Sequence, residues 1–422
     1  MFRISSLVVT AALFSAVLTG VIQAQGREGG QGRQGGRGQQ AALPDGPGKE
    51  AVTATCSGCH GVNLITGSTG YTHARWQDLI STMVKLPEAQ TATITQYLAT
   101  HFPPKPGREP VLVPGPVSVT FKEWITPTLG QRSRDPLQMT DGTIFWAGQY
   151  GSLVGRLNPR TGEMKEWKLD RAARPHSIIN DRFGNIWYTG NGNGTMGKLN
   201  PATGEITVFK MPDPNARDPH TPIFDRNGLL WFTVQGGNFI GRLDPKTGAV
   251  SLKEAPAGSR PYGIVVTSSG TPVFDLSGTN KIGAIDPATM EITEYVVTEG
   301  ARPRRIAVDR NDIVWYTDYP RGYLGRVDLK TKQVQEFASP GGRSSMPYGM
   351  TTTADGAVWY SESGMRPNTL VRFDPASKTF QTWNIPNGGG VVRHMVTAPN
   401  GDLLLAYSGV NKVGRVRIKK TT

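Results

Sequence analysis

Cysteine is almost absent from this sequence, which has two cysteines in 422 residues, at positions 56 and 59. A disulfide between them would close a tiny loop and would stabilise little. A zinc site normally needs four ligands, and the sequence has no second cysteine pair. A thioredoxin-like redox pair needs a βαβ setting, which is missing around these two residues.

Long hydrophobic runs are equally scarce. Residues 7–21 form an apolar run behind Arg3, and Ala24 ends it with a small side chain. This pattern predicts a secretory signal peptide over residues 1–24, cleaved near Ala24, with a membrane anchor as the alternative. No later segment approaches ~18 consecutive apolar residues, so we expect no transmembrane span in the mature protein. The prediction is an exported, periplasmic protein in an oxidising compartment.

Acidic residues are outnumbered, because 33 Asp and Glu face 46 Lys and Arg and leave a net charge of +13. No basic run is interleaved with aromatic residues, so nucleic acid is not an expected partner. The charge favours an acidic redox partner or an anionic surface, and a solvated basic surface is the alternative.

The two cysteines belong to the motif CSGCH at residues 56–60. In C-x-x-C-H both thiols form thioethers to a haem and the histidine ligates the iron. Behind a signal peptide, the motif predicts one covalent haem c held by Cys56, Cys59 and His60.

The segment ARWQDLISTMVK, residues 74–85, predicts a helix with one apolar face. That face contains Trp76, Leu79, Ile80 and Met83. Met83 is our candidate for the sixth iron ligand, with core packing as the alternative. His73 is the rival ligand, and a solvated loop histidine is its alternative. A methionine ligand would favour electron transfer.

With CSGCH, RWQDLISTM and ITQYL, residues 47–105 resemble a class I cytochrome c. The resemblance implies that His60 is the proximal ligand and Met83 the distal ligand. Residues 25–46 are rich in Gly, Gln and Arg and predict a disordered tether. Residues 106–116 are rich in proline and predict a stiffer linker.

A repeat of about 43 residues fills the rest of the chain. Each copy has a strand, a D-x-x-G-like turn, a second strand with a large apolar residue in one slot, and then segments such as IGRLDPKTG. The slot residues are Phe145, Trp187, Trp231, Val273, Trp315, Trp359 and Leu404. Seven copies of four short strands predict a mainly β protein, a seven-bladed β-propeller over residues 117–422, preceded by a small all-α cytochrome c domain. Strand 117–126 should supply the missing fourth strand of the last blade, because an open ring leaves an exposed edge.

The first strands of a propeller line its central channel, so the residue after the proline of each repeat should point there. These residues are Arg134, His176, His220, Tyr262, Arg304, Tyr348 and Arg393; His394 lies beside them. Crowded arginines repel one another unless an anion or a carboxylate joins them. Asp218 is the nearest candidate carboxylate along the chain. We expect a site for an anionic or electron-rich small molecule, and water with internal ion pairs is the alternative.

Three consecutive blades carry RPHSI at 174–178, DPHTP at 218–222 and RPYGI at 260–264. With the IGRLDP repeats, these motifs resemble the virginiamycin B lyase (streptogramin lyase) family, seven-bladed propellers that open a cyclic ester by elimination with a divalent metal, usually Mg²⁺. The resemblance implies catalytic roles for His176, His220 and Tyr262. It also places the metal-binding glutamate of the family at Asp218, which is one methylene shorter. A purely pore-lining role for these motifs is the alternative.

Three functions follow from these patterns. The main prediction is an exported c-type haem protein that transfers electrons, with a propeller that binds a substrate or a partner. The first alternative is a carbon–oxygen lyase that carries an accessory cytochrome. The second alternative is a propeller without catalytic activity that only docks and positions the haem.

Overall fold

The computed structural model describes residues 42–58, 61–68, 71–81, 83–103 and 108–420. The predicted signal peptide, most of the predicted tether, and Cys59 and His60 of the haem motif lie outside these residues.

The described residues begin with four helices. They are α1 (Lys49–Cys56), α2 (Val62–Gly67), α3 (His73–Ser81) and α4 (Glu88–His101). In α3, Trp76, Leu79 and Ile80 are buried, as their helical spacing predicts. The helix ends at Ser81, so Met83 lies half-buried in the turn beyond α3 rather than on its face, with its N–H still bonded to the carbonyl of Ile80 (2.9 Å). None of the described helices is long and apolar enough to cross a membrane.

The segment just before α1 packs against the helices. Leu43 is buried in their core, and the carbonyl of Pro44 accepts a hydrogen bond from the Tyr97 hydroxyl (2.5 Å). The last residues of the predicted tether, which ends at residue 46, thus make contacts with the helices. The reason is local: the Gly, Gln and Arg composition ends before Leu43, whose side chain gains by burial.

The strands form seven four-stranded antiparallel sheets, one for each predicted blade. A single strand, β1 (Val117–Ile125), comes first. Blade 1 contains β2 (Ser133–Gln138), β3 (Ile144–Gly148), β4 (Leu153–Leu157) and β5 (Met164–Lys168). Blade 2 contains β6 (Ile178–Asn180), β7 (Ile186–Gly190), β8 (Thr195–Leu199) and β9 (Ile206–Lys210). Blade 3 contains β10 (Pro219–Phe224), β11 (Leu230–Val234), β12 (Phe239–Leu243) and β13 (Val250–Glu254).

The remaining blades repeat this order. Blade 4 contains β14 (Pro261–Val266), β15 (Pro272–Leu276), β16 (Lys281–Ile285) and β17 (Ile292–Val296). Blade 5 contains β18 (Pro303–Val308), β19 (Ile313–Asp318), β20 (Tyr323–Asp328) and β21 (Val334–Ala338). Blade 6 contains β22 (Pro347–Thr352), β23 (Val358–Glu362), β24 (Thr369–Asp374) and β25 (Thr379–Asn384). Blade 7 contains β26 (Val392–Thr397), β27 (Leu403–Tyr407) and β28 (Lys412–Lys420). Two short 3-10 helices, Gly342–Ser344 and Pro386–Gly388, lie in loops.

Blade 7 takes its fourth strand from the start of the propeller. β1 pairs with β28 along its whole length, from Val117 opposite Lys420 to Ile125 opposite Lys412. This pairing joins the two ends of the propeller and covers the edge of β28, so that β1 becomes the outer strand of blade 7 as β5 is of blade 1.

The repeated motifs are explained by contacts inside each blade. In blade 3, the carboxylate of Asp225 accepts hydrogen bonds from the turn N–H of Asn227 (2.9 Å) and from the indole of Trp231 (2.9 Å). Asp181 and Asp309 bond in the same way to the tryptophans of their own blades. The tryptophan slot is thus tied to the turn that precedes it, which is why both recur at a fixed spacing.

The glycine of the IGRLDP motif is required by packing. A Cβ on Gly241 would lie 2.1 Å from the ring of Phe232 on the neighbouring strand. The aromatic side chain of the second strand therefore lies flat over a bare backbone on the third.

The helices pack directly on the propeller. Their core is continuous with buried residues of blade 7, and it includes Trp76, Leu129 and Tyr407. Gly130 has a φ of 61° and lies so close to α2 that a Cβ there would meet the carbonyl oxygen of Leu64 at 1.8 Å. The proline-rich segment is also held, because Val113 and Thr382 of β25 exchange backbone and side-chain hydrogen bonds (2.7 and 3.0 Å).

Candidate functional site

The start of each blade, at or just before its first strand, places two consecutive residues at the central channel. In β10 the register to β11 shifts between Pro219 and Pro222, and the first strands of five other blades have equivalent irregularities. A β-bulge re-aims side chains in this way, and bulges are common beside active sites.

We name two rings by the positions in this bulge. The first ring consists of the residues expected from the sequence: Arg134, His176, His220, Tyr262, Arg304, Tyr348 and Arg393. The second ring consists of the residues that directly follow them: Asp135, Ser177, Thr221, Gly263, Arg305, Gly349 and His394.

A hydroxyl group on the second strand fixes the bulge. In blade 3, Thr233 accepts from the N–H of Thr221 (3.2 Å) and donates to the carbonyl of Tyr262 in the next blade (2.6 Å). Thr189 and Thr317 make the same pair of bonds in blades 2 and 5. These bonds hold the first ring in place from behind.

Blade 4 has a carboxylate where the others have a hydroxyl. Asp275 accepts from the N–H of Gly263 (2.6 Å), and its second oxygen has no hydrogen-bond partner among the described residues. Asp275 is completely buried, and this burial raises its pKa to about 7. A protonated Asp275 can act as the threonines do, because it then has a proton to donate.

Four aromatic side chains of the first ring are in contact. The rings of His176 and His220 lie 3.6 Å apart between centroids, and those of His220 and Tyr262 lie 3.9 Å apart. The hydroxyl groups of Tyr262 and Tyr348 are 2.6 Å apart. All four side chains are almost completely buried. The structure therefore brings together the three residues of the RPH, DPH and RPY motifs.

Arginines complete the first ring. The guanidinium of Arg304 lies 4.6 Å from the ring centre of Tyr348 and 4.5 Å from that of Tyr319. Arg393 donates to the Tyr348 hydroxyl (3.3 Å), and Arg134 is bound through Nε to Gln149 (3.0 Å). None of the three guanidinium groups forms an ion pair with a carboxylate in the part of the chain that the structure describes.

The second ring is held by a buried ion pair. Arg305 lies 3.4 Å from Asp135 and donates to the hydroxyl of Thr221 (3.2 Å). The other oxygen of Asp135, Oδ2, accepts from the hydroxyl of Ser177 and lies 3.4 Å from Nδ1 of His394. Arg305 is 2% exposed and Asp135 is not exposed at all. Residues from five blades are thus linked across the channel.

The charges of the channel determine the protonation of its side chains. Burial, reinforced by Arg134, lowers the pKa of His176 well below its usual value, and burial with Arg305 does the same for His220. Both histidines are therefore neutral at pH 7. Burial alone would raise the pKa of Tyr348, but Arg304 and Arg393 outweigh it and hold that pKa well below its usual range.

The side chain of Asp218 is bonded to a loop backbone. Its two oxygens accept hydrogen bonds from the backbone N–H groups of Gly236 (2.6 Å) and Gly237 (2.9 Å), so the side chain closes a turn. The structure shows no ion pair between Asp218 and a ring arginine among the described residues, and a role for Asp218 in the ring stays a prediction. The carboxylate that does meet a channel arginine is Asp135.

The residues present do not fit the Mg²⁺ ion that the motif resemblance implies. A magnesium site needs oxygen ligands, usually one or two carboxylates. Asp218 is already bonded, and no group of three or more His, Cys, Asp or Glu side chains that could hold a metal occurs within the described ranges. The neighbouring guanidinium groups would also repel a cation.

Part of the predicted haem site can be located. Cys56 is the last residue of α1, and both Cys56 and Met83 pack against the core of the helical segment. His73 begins α3, where its Nε2 lies 3.0 Å from the hydroxyl of Thr95. Cys59 and His60 are outside the described residues, so the motif is seen only at its first cysteine.

Sequence reasoning missed Arg305, Asp135 and Asp275. The first two directly follow first-ring positions in the aligned repeats, so a rule that two residues per bulge face the channel would have found them. Asp275 had a weaker signal, since it replaces the threonine found at the matching positions 233 and 317.

Comparison with known families gives one match. The sequence profile of the Virginiamycin B lyase family matches residues 137–273 and 250–422. No curated protein sequence matches the chain.

Solved structures share the propeller fold. A streptogramin B lyase is 23% identical, with a TM-score of 0.64, and the match covers 71% of this chain and 98% of that one. A virginiamycin B lyase from Staphylococcus aureus is 21% identical with a TM-score of 0.65, over 71% of this chain and 99% of that one. A hydrazine synthase from Kuenenia stuttgartiensis is 15% identical with a TM-score of 0.58, over 69% of this chain and 96% of that one.

Proposed function

Because the chain belongs to the Virginiamycin B lyase family, we propose that its channel is the active site of a carbon–oxygen lyase. The observation that carries this proposal is the contact of His176, His220 and Tyr262 in three consecutive blades. Two neutral imidazoles beside a protonated phenol are the groups that an elimination needs.

The roles follow from position and protonation. We assign His220 as the base, because it is neutral and its ring lies between those of His176 and Tyr262. It takes the proton from a carbon next to a carbonyl. The electrons of that C–H bond form a C=C bond, and the C–O bond to the leaving oxygen breaks. Tyr262 gives its proton to the leaving oxygen; burial raises its pKa, so it holds that proton at pH 7.

Positive charge at the carbonyl oxygen is supplied by the chain itself. Arg304 lies 5.5 Å from the ring centre of Tyr262, with Arg393 and Arg134 in the same ring. Fixed cationic donors stabilise a developing enolate oxygen in a water-poor site. No step of this scheme requires the metal that the residues do not fit.

Product analysis tests the proposal. The full chain is incubated with esters and lactones that carry an acidic C–H, including quinupristin, a molecule with which an inactive S. aureus virginiamycin B lyase has been solved. Elimination in a ring leaves its mass unchanged and creates an absorbing C=C bond, whereas hydrolysis adds one water. We expect His220→Gln to lower the rate by roughly 10²- to 10⁴-fold. His73→Gln, the same change outside the channel, is the matched control.

If no ester or lactone is turned over, the propeller has a docking role and the proposal fails. If turnover occurs but survives His220→Gln, the reaction is real and the assigned base is wrong.

Electron transfer is the second candidate function, and two buried polar atoms favour it. The hydroxyl of Tyr71 and the indole N–H of Trp76 are buried, and neither has a hydrogen-bond partner among the described residues. Their rings lie 4.8 Å apart within the helical segment that carries Cys56 and Met83. Unpaired buried donors are costly, and the carboxylates of a haem are acceptors that would satisfy them.

The helical segment therefore fits a haem c. Cys56 and Cys59 would attach it, and His60 and Met83 would ligate the iron. When bound, a haem of this kind supplies reversible one-electron transfer. Tyr71 and Trp76 would orient it by donating hydrogen bonds. The partner on this proposal is an acidic periplasmic redox protein, since the chain carries a net charge of +13.

The mass and visible spectrum of the exported protein test this candidate. We expect a mature chain that begins near Gln25 and carries the added mass of one porphyrin, which Cys56→Ser reduces or removes. Met83→Leu should change the spectrum, whereas His73→Asn should not. A mature chain without added mass, from a host able to attach haem, would contradict it.

A further inference from the structure

The first ring has more positive charge than its own surroundings neutralise. It contains Arg134, Arg304 and Arg393, and no acidic residue. Among the residues that the structure describes, the one carboxylate in an ion pair with a channel arginine is Asp135 of the second ring, and its partner there is Arg305. Burial raises the pKa of Asp275 to about 7, so it contributes little negative charge near neutral pH.

Several buried N–H donors of the first ring have no hydrogen-bond partner among the described residues. They are one terminal nitrogen of Arg134 and the Nε atoms of Arg304 and Arg393. Arg134 is 4% exposed, so water does not serve it from the surface. A buried donor without a partner costs about 1–3 kcal/mol, and a charged one more. Three such donors in one ring indicate a missing acceptor.

Tyr348 shows where that acceptor belongs. Its hydroxyl accepts from Arg393 (3.3 Å), and the guanidinium of Arg304 lies 4.6 Å from its ring centre. The same two arginines hold its pKa well below the usual range. The arginines therefore favour the ionised form of the Tyr348 phenol. An external anion would meet the same demand without ionising a phenol.

Arg304 and Arg393 are the partly exposed arginines of the first ring, whereas Arg305 of the second ring is buried in its pair with Asp135. A ligand would therefore reach the first ring at Arg304 and Arg393.

We propose that the first ring binds a small oxyanion between Arg134, Arg304 and Arg393. The chemical class is a carboxylate or an inorganic oxyanion such as phosphate, because guanidinium groups present paired donors that match such oxygens. This inference does not depend on lyase activity. It extends the proposed function, since a substrate of this channel would then carry a carboxylate.

Binding of defined anions to the full chain tests the inference. Acetate, malonate and phosphate are titrated calorimetrically at constant ionic strength, with chloride as the competing anion, because screening alone changes exposed charges. We expect saturable binding of at least one of them. Arg304→Gln and Arg393→Gln should each weaken it by about tenfold or more, since each removes a charged hydrogen bond.

Arg310→Gln is the matched control. Arg310 lies in blade 5, in the turn after Arg304, and it is exposed and outside the channel. Arg310→Gln removes the same charge from the other end of β18 (Pro303–Val308), so the affinity of this variant for the anion should stay within about twofold of that of the unchanged chain. Tighter binding of acetate or malonate would indicate a carboxylate ligand, and tighter binding of phosphate would indicate an inorganic oxyanion.

Tyr348→Phe provides a second measurement. The groups that face Tyr348 are Arg304, Arg393, Tyr262 and Tyr319, with Arg134 and Arg305 near enough to affect its pKa. As pH rises and Tyr348 ionises, its charge should compete with the ligand and weaken binding. Tyr348→Phe should remove that pH dependence.

Two results would overturn the inference. One is that none of the three anions binds better than chloride. The other is that Arg304→Gln, Arg393→Gln and Arg310→Gln weaken binding equally, which would make it a surface effect. If the full chain shows no lyase activity but still binds an anion, the proposed function is refuted and the anion site is supported.

Discussion

The first and second rings are made of neighbouring residues on the same strands, yet their polar atoms are satisfied to different degrees. In the second ring, Arg305, Asp135, Ser177 and Thr221 satisfy one another across the channel. In the first ring, Arg134, Arg304 and Arg393 keep donors without acceptors, and two neutral histidines are stacked beside them. A single step along the chain separates a closed network from an open one.

This difference indicates that, within one channel, the second ring stabilises the fold and the first ring acts on ligands. Buried polar groups in native proteins are nearly always paired, and unexplained exceptions cluster at functional sites. In the second ring Arg305 and Asp135 follow the rule and tie the blades together. The first ring departs from it at its three arginines and at His176. We therefore expect changes in the second ring to affect stability, and changes in the first ring to affect ligands.

The largest effect should come from breaking the ion pair of the second ring. Asp135→Ala leaves the guanidinium of Arg305 buried without a counter-charge, because Arg305 is 2% exposed. Removing one partner of a buried pair costs roughly 3–5 kcal/mol. We expect the midpoint of urea unfolding of the propeller to fall accordingly.

A double variant controls for the loss of packing. Asp135→Ala with Arg305→Met removes both charges, and the coupling between the two changes isolates the pair. We expect the double variant to unfold at a higher urea concentration than Asp135→Ala alone. If it is the less stable of the two, the pair is not what holds the second ring.

A pH-dependent effect should come from Asp275, which accepts a hydrogen bond from Gly263 of the second ring. Its pKa is raised by burial from 3.8 to about 7, so the folded chain binds a proton that the unfolded chain releases between about pH 4 and pH 7. Stability should therefore fall as pH rises through that window, by up to about 4 kcal/mol at pH 8.

Asp275→Asn should remove this slope, because an amide can accept from Gly263 and donate to the next blade at any pH. The measurement is the difference in unfolding midpoint between the two proteins from pH 4 to pH 8. Parallel curves would mean that Asp275 is ionised and paired in a way that its environment does not indicate.

The propeller could be predicted from the sequence because each blade repeats the same physical solution. An Asp in the turn accepts a hydrogen bond from the Trp of the next strand, as Asp225 does from Trp231. A glycine on the third strand leaves space for an aromatic ring of the second strand, as Gly241 does. Such local contacts recur at a fixed spacing. Seven copies of this pattern indicate the number of blades, and the first ring follows from the alignment.

The second ring and the packing of the helices could not be predicted in the same way. Arg305 and Asp135 are 170 residues apart, and only the closed ring brings them together. The bonds of Asp218 to a loop could not be predicted either, because proximity along the chain says nothing about which backbone N–H groups a carboxylate will meet. The close approach of Leu64 to Gly130 is likewise a tertiary contact that leaves no periodic trace.

The smallest effect on stability should come from the first ring itself, and it should have the opposite sign. Arg393 has an unpaired Nε and lies near other guanidinium groups, so Arg393→Gln relieves repulsion and removes no ion pair. Without added anions we expect the free energy of unfolding to change by no more than about 1 kcal/mol, with a neutral or stabilising effect.

With phosphate or malonate present, the unchanged chain should gain stability by mass action and Arg393→Gln should gain much less. Thermal unfolding of both proteins and of Arg310→Gln, with and without each anion, makes the comparison. If Arg393→Gln destabilises the protein as strongly as Asp135→Ala, the two rings are equivalent supports, and the distinction between a closed network and an open one fails.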